Sequence, residues 1–276
     1  MAEPGHGAMH GGHHHAVWGA DTLLLTILPA LALLLYLWAA RRPGPHRSWN
    51  PWRSASFALG IALVVAAVAP PVAAWAHADL RGHMVQHLAL GMFAPLGLVF
   101  GAPVTLALRT LPARTAAALM RLLRSVPIRF VTYPATAACL NLLPMAALYL
   151  TPLYAASLQN GALHLWLHVH FLVAGCLFAW AIAGPDPAPH RPGPALRLAV
   201  LICHAAGHAI LGKLMYGYHF PRGTGATAAE IEAAAQWMYY GGDIAELLLA
   251  IALFHGWFAA RDRAFRRDRC LAEAPS

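Results

Sequence analysis

Apolar residues along the chain fall in long blocks, near 17–40, 54–76, 83–107, 130–150, 164–184, 196–217 and 236–260. Each block is long enough to cross about 30 Å of hydrocarbon as a helix. Within hydrocarbon the backbone must satisfy its own polar groups, which selects helices over an open sheet. Breaker residues separate the blocks: Arg41-Arg42-Pro43-Gly44-Pro45, Pro112, Pro127, Gly184-Pro185-Asp186-Pro187 and Pro192-Gly193-Pro194. Pro29, Pro95 and Pro144 lie inside blocks, where neighbouring helices can satisfy the carbonyls that proline frees. The pattern predicts an all-α polytopic membrane helix bundle of about seven transmembrane helices. No repeat of the solenoid kind is present. The expected organisation is a His-rich extracytoplasmic arm over 1–16, a seven-helix membrane domain over 17–260 and a basic tail over 261–276.

Charge adds a direction. The loop after the first block holds Arg41, Arg42, Arg47 and Arg53, and the loop after the third holds Arg109, Arg114, Arg121, Arg124 and Arg129. Arg191 and Arg197 follow the fifth block, and Arg261, Arg263, Arg266, Arg267 and Arg269 follow the last. The intervening loops hold only Arg81 and Arg222, with Lys213 inside the sixth block. The positive-inside rule makes the arginine-rich side cytoplasmic, the N-terminus external and the C-terminus cytoplasmic.

Composition agrees with this reading. Hydrophobic residues make up 59% of the 276 positions and charged residues 11%, with a mean hydropathy of +0.54. A soluble domain carries about 25% charge. The net charge of +8 sits in short loops rather than in a patch, which argues for topology and the lipid bilayer and against nucleic acid as partner. Cys139, Cys176, Cys203 and Cys270 are isolated from one another and make neither a disulfide framework nor a CxxC site. The N-terminal run with His6, His10, His13, His14 and His15 has the composition of a metal-capture arm and lacks the charged start of a signal peptide.

The polar residues inside the blocks carry the candidate chemistry, because ionisable groups in hydrocarbon are costly and face a bundle interior or a cavity. His83 and His87, His164 and His168, and His204 and His208 are each spaced i, i+4, so each pair shares one helix face. Asp243 and Glu246 add an i, i+3 pair in the last block. With alternating helix directions, all three histidine pairs and the carboxylates reach similar depth in the outer half of one bundle; His208 lies ~13 Å below its helix's outer end. Imidazole suits copper, zinc, nickel and iron, and carboxylates serve as ligands or orient histidine N–H groups. His83, His87, His164, His168, His204, His208, Asp243 and Glu246 are therefore the expected metal-site residues.

Other residues have plainer readings beside a functional one. A lone membrane histidine is ordinarily hydrogen-bonded within the bundle, and His170, two residues from His168, is structural or supports the site. Lys213 snorkels to the surface or counters a carboxylate. Met84, Met92, Met215 and Met238 are soft donors for Cu(I) or simply packing. Trp18, Trp75, Trp166 and Trp237 read as an interfacial belt. Gly241-Gly242 allows close helix approach, and His77, Asp79 and His219 are an entry site or solvated loop residues.

His83-Met84-Val85-Gln86-His87-Leu88, followed by Ala94-Pro95-Leu96 and Gly101-Ala102-Pro103, resembles the signature of the multi-pass CtaG-type cytochrome c oxidase assembly factors. So do His164 through Trp180 with Gly184-Pro185-Asp186-Pro187, and Gly241-Gly242-Asp243-Ile244-Ala245-Glu246-Leu247. The resemblance spans the third to seventh blocks. It implies copper handling at the outer face of the bacterial inner membrane, with a haem-copper oxidase subunit and an extracytoplasmic copper donor as partners. The family's functional positions carry over to His83, His87, His164, His168, Asp243 and Glu246; His204 and His208 rest on spacing, and the N-terminal arm has no counterpart in the pattern.

The resulting expectation is a copper-binding assembly factor or metallochaperone rather than an enzyme. An intramembrane metalloenzyme, with zinc for hydrolysis or two irons for oxidation, uses the same residue types. A haem protein with axial histidines from facing helices is a third class.

Overall fold

The structure is a computed structural model and describes residues 20–42 and 48–272, leaving aside the side chains of residues 20–25, 268 and 270–272. The His-rich arm lies outside the described residues. Thirteen α-helices and one π-helical turn are found among them. The chain runs α1 (Ala20–Arg41), α2 (Pro51–Val68), α3 (Pro70–Ala78) and α4 (Leu80–Leu88), then the π turn Ala89–Phe93 and α5 (Ala94–Phe100). It continues through α6 (Pro103–Thr110), α7 (Ala113–Leu123), α8 (Val126–Val131), α9 (Pro134–Leu150) and α10 (Leu153–Gln159). Three long helices close it: α11 (Gly161–Ala183), α12 (Pro194–Tyr218) and α13 (Ala228–Ala272).

Among the described residues, five helical stretches are long and apolar enough to cross a membrane: Pro51–Val68, Leu80–Thr110, Gly161–Ala183, Pro194–Tyr218 and Ala228–Arg267. A sixth arises if α9 and α10, bent by 82°, count as one span. The first expected block begins outside the described residues; its described part, Thr26–Arg41, is a shorter apolar helix. Several blocks that read as continuous in sequence are broken. The block at 54–76 divides into α2 and α3 at Pro70-Pro71, because neither proline can donate to the preceding turn. The block at 83–107 contains the π turn and then a left-handed Ala102 between α5 and α6.

Prolines inside these helices free carbonyls, and other helices meet them. Pro71 cannot donate to the Ala67 carbonyl, and Gln86 Nε2 of α4 donates to it at 2.9 Å. Pro144 likewise leaves the Leu140 carbonyl of α9 open, and His170 Nε2–H of α11 donates to it at 3.1 Å. His170 is thus structural. Pro95 frees the Gly91 carbonyl in the π turn, which α11 approaches so closely at Gly175 that any Cβ there would collide with it.

The packing has a histidine end and an arginine end. At the histidine end Met84, Met145, Tyr149, Leu211, Met215 and Met238 form one buried cluster, so three of the four methionines singled out in sequence are core. At the arginine end Val99, Ala137, Ile182, Leu201, Leu249 and Leu253 form another. Asp186 fixes that end: its carboxylate accepts from Val104 N at 3.0 Å, Thr105 N at 2.7 Å and Thr105 Oγ1 at 2.5 Å. It caps α6 from a distant loop and so ties Gly184-Pro185-Asp186-Pro187 to Gly101-Ala102-Pro103. Trp75, Trp166 and Trp237 are exposed on the histidine half, and Trp75 meets Trp237 edge-on at 6.1 Å.

Candidate functional site

Four of the expected histidines converge. His83 and His87 of α4 and His164 and His168 of α11 line one small cavity together with Leu90, Leu148, Leu167 and Phe171. Its volume is ≈ 10 Å³, about what one water requires. The His83 and His164 rings lie 6.3 Å apart and the His164 and His168 rings 4.4 Å apart. His83 and His87 are buried. His83 Nδ1, His83 Nε2, His87 Nε2 and His168 Nε2 are buried and make no hydrogen bond. Buried polar atoms are ordinarily satisfied, so four orphaned imidazole nitrogens at one cavity call for a partner.

The i, i+4 spacing accounts for this placement, since successive turns aim both rings of each helix at the same neighbour. The π turn starts two residues after His87 and shifts the register of everything that follows in that span. Tyr149 of α9 and Tyr154 of α10 complete the wall, with the Tyr149 ring 5.9 Å from His87 and the Tyr154 ring 4.6 Å from His83. The Tyr149 hydroxyl is also buried without a partner. Toward the surface, the exposed His77 stacks on His164 at 5.0 Å. The result is a line of imidazoles from an exposed position to a buried one.

The second histidine group is different. His204 Nδ1–H donates to Glu246 Oε1 at 2.8 Å, and its Nε2 lies 3.0 Å from Asn141 Oδ1. A neutral His204 completes the second bond when the Asn141 amide turns its NH₂ toward Nε2. Both ring nitrogens are engaged, so His204 ties α12 to α9 and α13. Phe178 stacks on it at 4.2 Å. His208 is fully buried with both nitrogens unpartnered, within electrostatic reach of His87 and His204. Its ring rests against Gly242 of α13, leaving no room for a Cβ there. Gly241 does the same against Leu88 of α4. Adjacent glycines therefore let α13 touch α4 and α12, two of the three histidine-bearing helices.

Asp243 departs from the expected set. It is exposed, whereas Glu246 is buried. Residues spaced i, i+3 sit about 60° apart around a helix, and the edge of the bundle falls between them. Glu246 stands against His204, with its Oε2 unpartnered. Among the described residues, no three His, Cys, Asp or Glu side chains are disposed as they stand to hold one metal ion. His219 pairs with Glu232 at 3.0 Å on the exposed surface, and Asp79 caps α4 by accepting from Arg81 N at 2.8 Å. The Lys213 ammonium lies 5.6 Å from the Tyr239 ring.

Sequence reasoning missed Gln86, Asn141, Tyr149 and Tyr154. Gln86 and Asn141 are uncharged polar residues inside apolar blocks, a signal that was open to reading. The tyrosines carry none, because aromatic residues are common packing elements in such blocks.

Long apolar helices packed around buried histidines, an amide and a carboxylate define an integral membrane helical bundle with a polar interior at one end. A family profile described as cytochrome c oxidase caa3 assembly factor matches residues 34–260, and the chain belongs to that family. It is 36% identical over 206 residues to uncharacterised proteins of Mycobacterium bovis and Mycobacterium tuberculosis, covering 71% of this chain and 31% of each relative. An uncharacterised protein of Mycobacterium leprae is 29% identical over 279 residues, covering 92% of this chain and 41% of that relative. The chain thus spans less than half the length of these relatives. No solved structure matches it.

Proposed function

We propose that the chain serves the assembly of a haem-copper oxidase in a bacterial cytoplasmic membrane by holding copper as cargo near the outer face. Family membership supports the oxidase connection. The observation that carries the copper reading is the shared cavity of His83, His87, His164 and His168 with its orphaned nitrogens. Unpartnered imidazole nitrogens are suitable donors for copper, and helices rather than loops hold them. His77 supplies the approach from outside, and the N-terminal histidines capture the metal. His208 lies next in line beyond His87. His204, Glu246 and Asn141 tie α12, which presents His208, to α13 and α9. In this reading Asp243 is not a ligand, the N-terminus is external and the arginine end is cytoplasmic. An oxidase subunit receives the metal, and an extracytoplasmic donor delivers it.

Elemental analysis of the purified chain tests the proposal. Copper is expected in the wild-type protein, with at least a tenfold loss in His87→Ala and His168→Ala and retention in His170→Gln. Wild-type protein that is free of copper as isolated from cells, yet restores oxidase activity to a deletion strain, sinks the copper reading.

A further inference from the structure

A large cavity among the described residues lies at the arginine end, away from the cluster of His83, His87, His164 and His168. It has a volume of ≈ 1080 Å³ and runs between α2, α5, α11, α12 and α13. Its walls are mainly apolar, including Leu63, Phe93, Leu96 and Leu253, while its polar side chains are Arg53, Ser56, Arg191, Arg197, His255 and Arg263. Among the described residues, no acidic side chain lines it.

The cations are held without being neutralised. Arg191 donates from Nη1 to the Gly184 carbonyl at 2.6 Å and from Nη2 to the Trp180 and Asp186 carbonyls, each at 3.2 Å. Arg197 donates from Nη1 to the Ile182 carbonyl at 2.8 Å. These partners are neutral, and both Nε groups are buried with no acceptor. Asp186, the acid whose charge offsets Arg191, has its oxygens bonded to α6. Burial and the neighbouring Arg197 push the Arg191 guanidinium down to about 10. Two guanidinium groups that repel each other and retain unused donors form a site for an anion, and phosphate geometry suits them.

The shape identifies the rest of the ligand. From Arg53 to Leu63 the cavity follows α2 for ten residues, about 15 Å. That is half of a hydrocarbon core about 30 Å thick. Leu59, Leu248 and Ile251 flank it and are exposed on the apolar surface, so it opens sideways toward lipid. Cations at one end of an apolar slot one leaflet long match an amphiphile with an anionic head.

We propose that this cavity binds an anionic phospholipid from the leaflet on the arginine side, its phosphate beside Arg53, Arg191, Arg197 and Arg263 and one acyl chain along Leu63, Phe93 and Leu96. The proposal is independent of copper. A lipid seated there bridges α2, α11, α12 and α13 and braces two of the helices that carry the histidines, α11 and α12.

The test uses the purified full chain, with bound lipid counted by native mass spectrometry and thermal unfolding measured in mixed micelles. Phosphatidylglycerol is expected to be retained at one molecule per chain and to raise Tm, with phosphatidylcholine retained at least tenfold less. Arg53→Gln combined with Arg263→Gln should abolish the preference. Ala252→Phe, which fills the slot while leaving every arginine in place, should exclude both lipids. Arg191 and Arg197 are left alone because they cap carbonyls. Equal retention of the two lipids overturns the proposal. So does a full Tm rise with inorganic phosphate alone, which would make this a soluble-anion site. Unchanged phosphatidylglycerol binding in both folded variants also overturns it.

Discussion

His83 and His204 are both buried in the same bundle, each one turn from a second histidine, yet their surroundings are opposite. His204 has an acceptor or donor at each ring nitrogen, supplied by Glu246 and Asn141. His83 has none at either. The difference separates histidines that hold the fold together from histidines that the fold holds ready. Spacing along a helix cannot distinguish them, because both pairs follow the same i, i+4 rule. Partners across the bundle can.

This contrast breaks most visibly at Glu246. His204→Ala should cost about 3–5 kcal/mol, because it strands a buried carboxylate, while Glu246→Gln costs much less; thermal unfolding in detergent gives both values. Gly242→Ala drives a methyl group into the His208 ring and should cost about 1–3 kcal/mol as overpacking. Adding His208→Ala should recover most of that loss, and full additivity of the two changes would contradict the contact. His170→Phe leaves the Leu140 carbonyl open, at a cost of about 0.6–1.7 kcal/mol, the range for hydrogen bonds between membrane helices. Pro144→Ala restores an amide to that carbonyl and should make His170→Phe nearly silent, as read in a double-mutant cycle.

His83→Phe should change stability by less than about 1 kcal/mol, since it removes two orphaned nitrogens rather than a bond. Copper content should nevertheless fall, and that split is the sharpest expression of the comparison. The smallest effect is at the mouth. The Arg81 guanidinium beside Asp79 holds its carboxyl below the usual carboxylate range. A depressed pKa contributes stability above the unfolded value of about 3.9, and the contribution is lost as pH falls through the folded value. Asp79→Asn should therefore flatten the acid limb of the unfolding profile slightly and leave copper binding unchanged.

Much of this was legible in the chain. The apolar blocks set the helical class, and the i, i+4 pairs on α4 and α11 led to one cavity. Gly241-Gly242 read correctly as a place of close approach, and Pro144 as a site where a neighbour must supply a donor. The breaks at Pro70-Pro71 and Ala102 were not read, because hydropathy does not register a lost hydrogen bond or a left-handed residue. Asp243 was placed inside because a shared helix face is wider than the line between interior and edge. Asn141 and Tyr149 become meaningful only when α9 is laid against α4 and α12, which no local pattern specifies.

The crossed pairing of proline-freed carbonyls bears on how the protein is made. Ala67 waits for Gln86, nineteen residues later, and Leu140 waits for His170, thirty residues later. As the chain enters the bilayer from its N-terminus, each earlier helix carries an open carbonyl until the later one arrives. In hydrocarbon that carbonyl has no water to turn to. The early helices are thus incomplete on their own until the later ones pack against them.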